Sequence, residues 1–175
     1  ALNNCMYFHG GNRNSSAHYF LDGSGTIWRS VNDYDTAWAV GNFAMNLRSL
    51  SIEVVSAGED FSPQEIDELH WLVRDLMEAY NVPAGRVGRH HDAIDFARGD
   101  GIDTGSWVDP HKACPAPYVD DAKWQALWSV ITSPYGGAQE TPDDPEAPSI
   151  GLDVDGWWGE ATTAALQRHY GTVED

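Results

Sequence analysis

The stretch "SPQEIDELHWLVRDLMEAY" (62–80) constrains this chain more than any other. Ser62 can cap a helix, Pro63 suits its first turn, and Glu65 completes a capping box. Ile66, Leu69, Leu72, Val73, Leu76, Met77 and Tyr80 then recur at steps of three and four. That period predicts a helix with one apolar stripe, which must lie on a core. Just before it, "LSIEVVS" (50–56) is short and β-branched and reads as a buried strand.

Other segments extend the pattern. Residues 1–8, "ALNNCMYF", read as the end of a helix, with Leu2, Cys5 and Met6 at helical spacing. "AHYFLD", "GSG" and "TIWRSV" read as strand, turn and strand. Residues 87–90 read as a short strand, 93–111 as a long Gly- and Asp-rich loop, and "DDAKWQALWSVI" as a second amphipathic helix with Trp124, Leu127, Trp128 and Ile131 on one side. Composition shifts at 133–149, a run rich in Pro, Gly and acid that reads as a linker. The expected organisation is a domain over 1–132, a linker over 133–149 and a smaller helical unit over 150–175.

The net charge of −17 argues against nucleic acid and anionic membrane surfaces as partners, since both require a basic face. Its plainest reading is a solvated surface. No run approaches a membrane span, and no leader peptide is visible at the start of the sequence. Two cysteines make no disulfide framework.

Chemistry concentrates in "RHHDAIDFARGDGIDTGSWVDPHKACPAP" (89–117). His90 and Cys114 are donor types that zinc prefers, and catalytic zinc sites take three protein ligands and leave a place for water. His91 and His111 read as solvated loop histidines. Asp92 reads as a partner that orients a ligating His or as a turn acid. Glu53 sits in the middle of an apolar strand, where a carboxylate is costly unless paired or near a cation. Alternation allows it to face solvent; its functional reading is a general base. Lys112 lies two residues before Cys114, so an extended backbone points both the same way.

"NNCMYF", "NRNSSAHYFLD", "TIWRSV", "DTAWAVG", "LSIEVVS", "RHHD" and "KACPAP", in this order and spacing, resemble the zinc-dependent N-acetylmuramoyl-L-alanine amidases shared by phage endolysins and peptidoglycan recognition proteins. The resemblance covers about residues 1–131. It implies an α/β fold with a central mixed sheet flanked by helices. It implies zinc held by His90 and Cys114, Glu53 as acid/base, Lys112 as the group that steadies the transition state, and His18, Tyr19 and Trp38 at the substrate site. Trp28 and Trp107 are further aromatic candidates, with core packing as the alternative.

The implied substrate is bacterial peptidoglycan, cut between muramic acid and L-alanine, and the implied setting is the cell wall or extracellular space. A monomer is expected. The family's first zinc ligand is a His on a strand at the start of the domain. This sequence begins within the following helix, so that strand is expected to be absent, with His9 as a possible substitute. An inactive fragment or a non-catalytic binding module is therefore the alternative. Ala39 stands where relatives carry a groove-lining His. "DVDGWWGEATTAALQRHYG" resembles the front of a peptidoglycan-binding repeat.

Overall fold

The computed structural model describes residues 1–9, 13–56 and 58–134, apart from the side chain of His9. Its centre is β1 (Tyr19–Leu21), all three residues of which are buried. β2 (Trp28–Arg29) pairs with β1 antiparallel, Phe20 opposite Trp28. β3 (Ile52–Val54) pairs with the other edge in parallel, Phe20 opposite Glu53. The sheet is thus mixed, in the order β2-β1-β3.

Side chains alternate across this sheet and divide the core in two. Phe20 faces α1 (Leu2–His9), where it packs with Cys5 and Ala17 and stacks on Phe8 at 5.8 Å. Tyr19 and Leu21 face the opposite side. There they meet α3 (Pro63–Ala79) and α5 (Asp121–Ile131) in the main core. A three-residue strand covered on both faces must be continuously apolar, and "YFL" is.

The strong helix begins where its sequence says. Ser62 Oγ accepts from the Glu65 amide at 3.2 Å, and Glu65 Oε2 accepts from the Ser62 amide at 2.6 Å. Leu69, Leu72, Val73 and Leu76 are buried, and Trp124, Leu127 and Ile131 of α5 join them in the same core. Asp120 caps α5 through the Lys123 amide at 2.9 Å.

Two expectations change. Residues 87–90 form no strand; a 3-10 turn (Ala84–Arg86) precedes that stretch and another (His90–Asp92) begins at its last residue. The span 93–111 is not all loop, because α4 (Ala93–Gly99) opens it. Ala93, Ile94 and Ala97 fall on one helical face and are buried, a spacing masked by the Gly and Asp residues that follow. One helical turn, α2 (Phe43–Asn46), also lies between the hairpin and β3. The linker beyond Pro134 and the unit 150–175 lie outside the described residues. Among the described residues, no helix is long and apolar enough to cross a membrane.

Candidate active site

β3 borders a cavity of about 920 Å³ whose lining includes Val40, Glu53, His90 and Cys114. The cavity reaches Ile52 and Val54 as well, but alternation sets Glu53 apart from them. Ile52 and Val54 pack against the main core, so Glu53 must point to the opposite face. Solvent reaches Glu53 there, yet enough protein surrounds it that desolvation raises its pKa, and the nearby Lys112 ammonium only partly offsets this. Both readings of Glu53 therefore meet: it leaves the apolar core, and it faces a cation.

His90 opens the 3-10 turn after Arg89. Burial, with Lys112 adding to it, lowers its pKa, which favours the neutral imidazole, the form able to ligate a metal. Cys114 is half-buried. Desolvation and the Glu53 charge raise its pKa, against a smaller opposing pull from Lys112. Lys112 therefore feels Glu53, His90 and Cys114 together.

The ligand-bearing segments are fastened to each other. The His91 amide donates to the Cys114 carbonyl at 3.1 Å. His91 Nδ1 lies 3.2 Å from the Lys112 carbonyl, and His111 Nδ1 lies 3.2 Å from the His91 carbonyl. His91 and His111, read from sequence as solvated loop histidines, lie 5.3 Å apart between ring centroids, and the His111 side chain is exposed. The Cys114–Pro115 peptide bond is cis.

A stronger fastening is Arg89, which composition and motif gave no reason to single out. Its Nε and Nη2 hold both oxygens of Asp92, at 2.7 and 2.6 Å. Nη1 donates to the carbonyls of Tyr118 and Val119, and Nη2 also reaches Asp121 at 2.9 Å. The guanidinium lies over the Trp124 ring at 5.4 Å. One buried cation thus ties the turn carrying His90 to the chain just past Cys114. Asp92 serves this clamp, and no hydrogen bond joins it to His90. Burial alone would raise the Asp92 pKa; the Arg89 hydrogen bonds overcome that and hold it below the ordinary value.

The residues expected to line the substrate site separate into two groups. Trp38 is 55% exposed and lies beside Phe43, ring centroids 5.7 Å apart, so it is available to a ligand. His18 and Tyr19 are interior. His18 Nδ1 lies 3.0 Å from Ser51 Oγ and its Nε2 lies 3.2 Å from the Asp35 carbonyl. The Tyr19 hydroxyl donates to Asp33 at 2.5 Å, and Tyr80 donates to the other Asp33 oxygen at 2.7 Å. Both residues hold the 33–36 loop and present no surface of their own to a ligand. Trp28 packs on the α1 side of the core. Trp107 is half-buried beside Gly41. Ala39 lines the cavity.

The donor types fit zinc, but their number falls short. Among the described residues, no group of three His, Cys, Asp or Glu side chains is placed to hold a metal ion. His90 and Cys114 make two, and the His9 side chain lies outside the described set.

The family model for N-acetylmuramoyl-L-alanine amidase matches residues 1–117. No curated protein and no solved structure matches the chain. The match covers the sheet, α1 to α4 and each of Glu53, His90, Lys112 and Cys114, and the chain belongs to the N-acetylmuramoyl-L-alanine amidase family.

Proposed function

We propose that this chain is a zinc-dependent peptidoglycan amidase, acting in the cell wall on the bond between N-acetylmuramic acid and L-alanine, with Glu53 and Lys112 as its catalytic groups. The observation that carries this is the meeting of a carboxyl, an imidazole and a thiol, Glu53, His90 and Cys114, on one cavity wall, with the Lys112 ammonium near enough to act on all three.

His90 and Cys114 would hold zinc together with a donor outside the described residues. When bound, zinc supplies a polarised carbonyl and a more acidic water. Glu53 takes a proton from the attacking water and delivers it to the leaving alanine nitrogen. Its raised pKa suits that shuttle, because a group poised nearer neutrality both accepts and returns a proton readily. Lys112 faces the carbonyl oxygen as negative charge develops there, a contact worth about 2.7–4 kcal/mol in comparable sites. Trp38 offers an apolar face to a sugar ring or stem peptide. The unit 150–175 would add a second hold on the wall.

The two-donor count favours a second reading, a wall-binding module that does not cut. The deciding experiment incubates the full chain with purified peptidoglycan and zinc and measures new L-alanine amino termini. Release that is lost in Glu53→Gln establishes the amidase. Binding to the wall without new amino termini establishes the module.

A further inference from the structure

We infer that Phe43, together with Trp38, forms a stacking platform for a sugar ring of the glycan strand and not for the stem peptide, an assignment that rests on the peptidoglycan reading above. Phe43 is the first residue of α2 and is 56% exposed, and Trp38 is 55% exposed. Their ring centroids lie 5.7 Å apart, with the planes inclined at 39°. Single exposed apolar residues are ordinary, but two large rings set side by side in water mark a binding surface. In sequence the two rings flank Ala39 and Val40, which line the same cavity as Glu53, His90 and Cys114.

Both rings stand on fastened backbone. The Trp38 amide donates to Ser16 Oγ at 2.9 Å, and the Ser16 amide donates to the Trp38 carbonyl at 3.0 Å. Asn42 is buried; its Oδ1 accepts the Met45 amide at 3.0 Å, and its Nδ2 donates to the Asp103 carbonyl at 3.2 Å, which fixes the turn that carries Phe43. The Val108 amide donates to the Gly41 carbonyl at 3.3 Å. A ligand that meets a preformed surface loses less in ordering it. Charge then selects the ligand. The chain has 27 acidic residues and 10 Lys and Arg, yet residues 36–47, "TAWAVGNFAMNL", include none of them. A stem peptide carries carboxylates, and this run offers no cation to pair with them. An N-acetylated sugar is uncharged, apolar on its ring faces and polar at its rim. It can lay one face on the two rings while its hydroxyls stay in water.

The test titrates the full chain, carrying ring-labelled phenylalanine and followed by NMR, with glycan strands stripped of their stem peptides and, separately, with the free stem peptide. Phe43 is assigned with a Phe43→Tyr variant. Its ring signals should shift on the glycan and stay still with the peptide, a readout that isolates this surface from any other hold the chain has on the wall. Phe43→Ala should raise the apparent KM on intact wall by about tenfold with kcat nearly constant, the mark of a lost aromatic anchor that binds ground state and transition state alike. Phe43→Tyr keeps the ring and should restore KM. Phe43 signals that answer the peptide as strongly as the glycan, or answer neither probe, overturn the inference. Signals that move with protein concentration before any probe is added overturn it too, since a second copy is then the occupant. An unchanged KM in a cutting Phe43→Ala chain has the same force. Failure of the amidase reading would appear instead as Phe43 shifts on the glycan in a chain that releases no alanine termini.

Discussion

The Glu53 carboxyl is held above its ordinary value of 4.5 by desolvation, which exceeds the pull of Lys112. Because the folded-state pKa is above the unfolded one, the native chain keeps this proton longer as pH rises. Stability is then lost as pH climbs through the folded pKa, and above it the cost is constant. Glu53→Gln should accordingly melt higher than wild type near pH 7, with the difference vanishing below about pH 4, where both states carry the proton. The same variant should lose about 10²–10⁴-fold in turnover. Paired melting curves at the two pH values, with an alanine-release assay, check both; a lower melting point at pH 7 would remove desolvation as the cause. Arg89 gives the opposite case. Its side chain is 5% exposed and every partner is an acid or a carbonyl. Arg89→Ala leaves Asp92 without its cation and should cost about 3–5 kcal/mol in denaturant unfolding. Arg89→Lys should recover only part of this, because a point charge cannot make the fork.

At the scale of elements, the helix 62–80 was legible because local signals and core burial agreed. Ser62→Ala removes one half of the box and should cost about 1 kcal/mol, read as a lower denaturant midpoint with an unchanged slope. The parallel pairing of β1 and β3 was not legible, since two or three paired residues leave no pattern of their own. The same holds for α2, whose single turn depends on caps from Asn42. The proposed catalytic set was visible as residue types: Glu53 stood out against an apolar strand, and Lys112 and Cys114 by their spacing. Arg89 was not visible, because its role comes from carbonyls and carboxylates that sequence does not bring together. Gly41 shows how tightly such contacts are fitted. Its φ is +75°, and an added Cβ would lie 2.6 Å from the Val108 carbonyl oxygen. Gly41→Ala is both strained and crowded there. It should weaken wall hydrolysis as well as lower the melting point, since Val40, its neighbour in the chain, lines the cavity with Glu53, His90 and Cys114.

For the whole molecule, charge is the property that bears on a polymeric substrate. The chain carries 27 acidic and 10 basic Lys and Arg residues. Stem peptides of peptidoglycan end in carboxylates, so approach of a chain at −17 is opposed at long range. Lys112, itself exposed, offsets part of this near Glu53 and His90. Repulsion between exposed charges fades beyond the Debye length, which shrinks from about 30 Å at 0.01 M salt to about 8 Å at 0.15 M. An ion pair in direct contact, such as a bound substrate would make with Lys112, lies well inside that length. Raising salt over that interval should therefore speed hydrolysis of intact wall several-fold, through a lower apparent KM with kcat nearly constant. A small uncharged muramoyl-alanine amide should show little change. Initial rates on both substrates across the salt series separate the cases: a fall on both would mean that attraction by Lys112, and not the net charge, governs encounter.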